Sequence, residues 1–125
     1  MFLQIEPHSD VPIYMQLTQQ IIEGIASGQL KPGEALPSVR SFAADLGVNM
    51  HTVNKSYHEL EKKGIVRIIP KSGAVVAGPN ELGATDVQMQ QVEQMLRPVV
   101  AEGLVIGLGE QDLQQLMQKL IKNLS

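Results

Sequence analysis

The chain has 125 residues, with 10 Lys and Arg against 13 Asp and Glu for a net charge of -3, 43% apolar and 3% aromatic residues, and neither Cys nor Trp. This length fits one domain with at most a small second module, and the apolar content excludes disorder as the default state. Without cysteine there is no disulfide framework, thiolate metal site or Cys nucleophile, and the scattered His8, His51 and His58 lead us to expect neither a metal nor a cofactor.

The opening MFLQIEPHSD has no basic or apolar leader, and no later apolar run approaches the length of a bilayer span. A cytoplasmic protein with no membrane partner is expected. Pro12 suits the first position of a helix, where its missing amide hydrogen goes unnoticed. Ile13, Leu17, Ile21 and Ile25 follow at helical spacing and Gly28 supplies a stop, which predicts a first helix over residues 12–27.

The stretch QLKPGEALPS carries two prolines and one glycine and is expected to be an irregular turn anchored by Leu30 and Leu36. Ser38 can cap a second helix bearing Val39, Phe42, Ala43 and Leu46, which Gly47 ends. Asn49 can cap a third, with Val53, Ser56, Tyr57 and Leu60 on one face and Gly64 at its close. Two short helices joined by a glycine turn make a helix-turn-helix.

IVRII and AVVA are β-branched runs flanking PKSG, a hairpin with a basic tip, in the position called a wing. Residues 78–84, GPNELGA, read as a linker. Thr85 with Gln88 forms a capping box, and Val92, Leu96 and Val99 carry a helical stripe to about Glu102. Pro98 lies within that stripe and is expected to kink or break it. After a glycine-rich connection from Gly103 to Gly109, Leu113, Leu116, Met117, Leu120 and Leu124 define an amphipathic last helix. The expected fold is α+β, mainly α: a winged helix-turn-helix domain over 1–77, a linker over 78–84, and a two-helix dimerisation module over 85–125.

Charge is uneven along the chain. Residues 31–75 hold seven basic and four acidic residues, a balance of +3, whereas residues 81–125 hold three basic and six acidic, a balance of -3. The middle can face phosphate and the tail cannot. On the third helix the face opposite the apolar stripe carries His51, Lys55, His58 and Lys62, with Asn54 on its flank. Helices that enter the major groove read bases with their first turns, so Met50, His51, Asn54 and Lys55 are the candidate base readers. Arg40, in the first turn of the second helix, can reach phosphate or a base edge, or else pair with Glu34 or Asp45. Lys71, Ser72 and Gly73 at the hairpin tip can enter the minor groove or clamp the backbone, and Thr52 and Ser38 are possible phosphate donors.

His51 and His58 stand two helical turns apart, too far for one metal ion. No nucleophile elbow, phosphate loop or positioned carboxylate pair is present, so no enzyme is expected.

The run PIYMQLTQQIIEGIASGQLKPGEALPSVRSFAADLGVNMHTVNKSYHELEKKGIV resembles the DNA-binding domain of the GntR family of bacterial transcription regulators. IASGQLKPGEALPSVR, TVNKSYHELEKKG and the glycine of the hairpin are the most diagnostic parts, and the likeness covers residues 10–77. The PIY start, the Asn of GVN and the short tail look like the YtrA subfamily. The resemblance implies a homodimeric repressor paired through its C-terminal helices. It implies that Arg40 contacts DNA, that Thr52 opens the recognition helix and that Gly73 is the wing glycine. The chain departs from many relatives at Met50, His51 and Ala74.

The sequence therefore predicts a regulator that binds a pseudo-palindromic double-stranded DNA operator as a homodimer joined through Val92, Leu96, Val99, Leu113, Leu116, Met117, Leu120 and Leu124. A small-molecule effector is neither indicated nor excluded. The rival reading is a winged-helix protein-interaction adaptor without specific DNA binding.

Overall fold

The computed structural model describes residues 3–79 and 83–125, so residues 80–82 of the expected linker lie outside the described residues. The chain divides into two compact units, Met1–Gly78 and Pro79–Ser125.

The first unit begins with α1, Ile13–Ala26. Pro12 is its cap and not its first helical residue: the Pro12 carbonyl accepts from the amides of Met15 and Gln16 at 3.0 and 3.1 Å. The α1 stripe buries Leu17 and Ile21 completely, against Val53, Tyr57 and Leu60 of α3, Met50–Lys62. Between them lies α2, Val39–Leu46, which contributes Phe42 and Ala43 to the same core. Both expected caps are formed. The Ser38 hydroxyl accepts from the Ser41 amide at 3.2 Å, and the Asn49 side chain accepts from the His51 amide at 2.7 Å. Where α1 meets α3, the hydroxyls of Thr18 and Ser56 hydrogen-bond each other at 2.8 Å, so two buried polar groups satisfy one another within an apolar contact.

The turn between α1 and α2 departs from the irregular stretch that its prolines predict. Ala35–Leu36 forms a short strand, β1, and pairs antiparallel with β3, Gly73–Val76, which in turn pairs antiparallel with β2, Val66–Ile69. The sheet order is β1-β3-β2. Two residues are too few to display an alternating pattern, so the strand had no signature of its own. It exists because Val76 accepts from the Gly33 amide at 2.8 Å and donates to the Glu34 carbonyl at 2.9 Å.

In the second unit α4 spans Asp86–Val105 and α5 spans Glu110–Leu124. The expected capping box is formed: the Thr85 hydroxyl accepts from the Gln88 amide at 3.1 Å, and the Gln88 side chain accepts from the Thr85 amide at 3.0 Å. Pro98 does not break α4, which continues through it past Glu102. One missing amide donor removes one rung from a long cooperative ladder whose two ends are held independently. Gly103 likewise belongs to the helix and not to the connection. A Cβ there would stand 2.9 Å from the Leu113 side chain, so its bare backbone is where α5 packs on α4. The helix stops just beyond, where Gly107 takes a φ of 101° and the Leu108 amide returns to the Gly103 carbonyl at 2.9 Å.

Candidate nucleic-acid interface

The polar face of α3 is turned outward as its spacing predicts: Met50, His51, Asn54, Lys55, His58 and Lys62 are exposed, and Thr52 is half-buried. What aims this face is a set of ties between α3 and its neighbours. The Tyr57 hydroxyl donates to the Pro37 carbonyl at 2.7 Å, and its ring lies 6.2 Å from that of Phe42, which fixes α3 against the start of α2. Burial pushes the Tyr57 phenol far above its ordinary range, so it remains a proton donor. On the wing side, Glu61 accepts from the Ile68 amide at 2.8 Å. These ties were not legible in the sequence, where Tyr57 read only as a member of the apolar stripe and Glu61 only as one of the four acidic residues of 31–75.

Between α2, α3 and the wing lies a cleft of about 520 Å³. Of the expected site residues, Ser38, Arg40, Asn54, Lys71 and Gly73 line it, whereas Met50, His51, Thr52, Lys55 and Ser72 do not. Arg40 is exposed and makes no ion pair among the described residues, so the alternative pairing with Glu34 or Asp45 is not formed. Lys71 holds a φ of 67° in the turn that the Ser72 amide closes on the Ile69 carbonyl at 3.0 Å. It is the one non-glycine with positive φ among the described residues.

Two expected site residues have structural engagements that sequence reasoning missed. Gly73 is buried and starts β3. A Cβ there would stand 2.4 Å from the Leu36 carbonyl oxygen and 2.6 Å from that of Pro37, so the close approach that glycine permits here is to the chain's own backbone. Lys55 does not extend freely from α3. Its ammonium sits 4.0 Å from the centroid of the Tyr14 ring on α1, a contact worth about 0.5–1 kcal/mol at an exposed site.

On the second unit, Val92, Leu96, Val99, Leu116, Met117 and Leu120 are between 39% and 61% exposed, far more than a side chain that serves as core. Leu113 and Leu124 are half-buried. A groove of about 540 Å³ between α4 and α5 is walled mainly by Val100, Leu104, Leu113 and Met117. Among the described residues no helix is long and apolar enough to cross a membrane, and no cluster of His, Asp and Glu could hold a metal ion.

A comparison with protein families matches residues 13–76 to the bacterial regulatory proteins of the gntR family, which spans the three helices and the wing. The chain belongs to the GntR family. It is therefore a sequence-specific DNA-binding transcription regulator. The likeness extends into the tail: the chain is 30% identical over 118 residues to the HTH-type transcriptional repressor YtrA of Bacillus subtilis, covering 94% of this chain and 91% of that one. Among solved structures it resembles YtrA from Sulfolobus acidocaldarius, a GntR-family transcription factor, at 34% identity and a TM-score of 0.61 over 97% of both chains. It also resembles a transcriptional antiterminator from Listeria monocytogenes EGD-e at 26% identity and a TM-score of 0.87, over 99% of this chain and 92% of that one.

Proposed function

We propose that this GntR-family chain is a cytoplasmic repressor that binds a pseudo-palindromic operator as a homodimer. The observation that carries the reading is the cleft in which Ser38, Arg40, Asn54 and Lys71, drawn from α2, α3 and the wing, converge on one side of the segment with a +3 balance. In this reading residues 1–77 bind DNA, 78–84 link, and 85–125 pair the protomers. Met50, His51 and Asn54 meet base edges at the start of α3, Arg40 reaches a base or phosphate, and Ser38, Thr52, Lys71 and Ser72 contact the backbone. The similarity to a relative named as a repressor along nearly the whole chain supports the same direction of regulation.

Pairing is supported by the exposed stripe of α4 and α5, since apolar surface of that extent on a small unit marks an interface. Two-fold symmetry then sets two recognition helices over half-sites one DNA turn or more apart. The test is selection of bound duplexes from a random pool, with light scattering on the same sample. An inverted repeat bound by a dimer is expected, and a Leu116→Glu, Leu120→Glu chain should be monomeric and bind the repeat roughly a hundredfold more weakly. Selected sites without inverted symmetry, or a monomer of full affinity, would overturn the reading.

A further inference from the structure

The geometry points to Lys55 as a phosphate-gripping cation that Tyr14 of α1 holds in place, Tyr14 itself being a positioning residue. This rests on the reading that α3 enters the major groove, and it gives Lys55 a different task from the base readers beside it.

Asn54 and Lys55 are adjacent in sequence, yet at about 100° per residue they leave α3 in different directions, Asn54 from the flank and Lys55 from the exposed face itself. Asn54 lines the cleft toward the wing. Lys55 leans the other way, with its ammonium 4.0 Å from the Tyr14 ring centroid. The spacing of the two helices at this point is fixed by buried polar groups. Thr18, one turn after Tyr14, donates to the Tyr14 carbonyl at 2.7 Å and meets Ser56, the neighbour of Lys55, at 2.8 Å. Tyr14 is half-buried and sits in the first turn of α1, so its ring is a fixed platform on which the lysine rests.

The nature of the partner decides what Lys55 can do. A carboxylate would neutralise the ammonium; the face of an aromatic ring orients it and leaves its charge whole. A cation held at the edge of a groove-entering helix meets the phosphate backbone, and lysine serves phosphate as a point charge without needing the directed pair of bonds that a base edge demands. The lysine is thus ordered before DNA arrives, and the contact does not depend on sequence.

The test uses the full chain, a duplex that the chain selects from a random pool, and a scrambled duplex of the same length. Lys55→Gln should lower the slope of log affinity against log salt by about one on both duplexes, and weaken both by the same factor, roughly tenfold near 0.1 M salt. Tyr14→Phe, which keeps the ring, should behave as the parent. Tyr14→Leu should reproduce part of the loss, and should add nothing in the Lys55→Gln background; if it melts too low to titrate, Tyr14→Met replaces it. An unchanged slope in Lys55→Gln, a loss confined to the selected duplex, or a Tyr14→Leu effect that persists without Lys55 would each overturn the inference while leaving DNA binding by the chain intact. A parent chain that selects no duplex at all would overturn both the inference and the reading beneath it.

Discussion

The Tyr57 hydroxyl reaches from the buried side of α3 to the carbonyl of Pro37, two residues before α2, and closes a 2.7 Å hydrogen bond across the helix-turn-helix. Tyr57→Phe should keep the packing and strand that carbonyl, lowering stability by about 0.5–1.5 kcal/mol in denaturant titration. The phenol also predicts a pH signature. In the unfolded chain it ionises near 10.0, whereas burial raises the folded value above that. Its contribution is therefore complete below pH 10 and is lost as pH rises toward the folded value, because the unfolded state then binds fewer protons. The parent should lose more stability above that pH than Tyr57→Phe does.

Gly73→Ala should be severe. The added Cβ would meet two carbonyl oxygens inside 3 Å at a φ of 108°; the Leu36 oxygen belongs to β1, which pairs with β3, and the Pro37 oxygen is held by the Tyr57 hydroxyl. We expect a loss of about 2–4 kcal/mol, read by thermal or denaturant melts. A melt like the parent's would show that the β1 turn yields easily.

Arg40→Ala should do the opposite, leaving the melt within about 0.5 kcal/mol because Arg40 is exposed and makes no ion pair among the described residues. Affinity for the selected operator should fall by about 1–3 kcal/mol if the guanidinium reads a base. Unchanged affinity in a titration would remove Arg40 from the interface.

Lys71→Gly is expected to move stability and binding in opposite directions. At a φ of 67° a lysine is held where glycine is comfortable, so glycine should stabilise the hairpin by up to about 1 kcal/mol. The same change removes a cation from the wing tip and should weaken DNA binding and flatten its salt dependence. Melts and operator titrations on one preparation would show both.

The parts of the fold that the sequence made legible are those settled within a few residues. Ser38, Asn49 and the Thr85–Gln88 pair each cap a helix by a bond spanning two or three positions, and all three caps are formed. The α3 stripe followed from its period, and Val53, Ser56, Tyr57 and Leu60 are all buried. What escaped depends on distant partners. β1 needs Val76, Gly103 lies inside α4 with Leu113 close over its bare backbone, and α4 runs through a proline that local rules alone would treat as a break. In the candidate site, sequence supplied the exposed face of α3 but not its division, because the ring that draws Lys55 aside is separated from it by the whole of α2.

The bare stripe of Leu116, Met117, Leu120 and Ile121 also bears on dosage. In the proposed working form, two chains joined there, occupancy of a promoter would rise with the square of chain concentration while most copies are single, and become linear once most are paired. A few copies left after cell division would then release the promoter more sharply than dilution alone suggests, and a modest rise in synthesis would close it again.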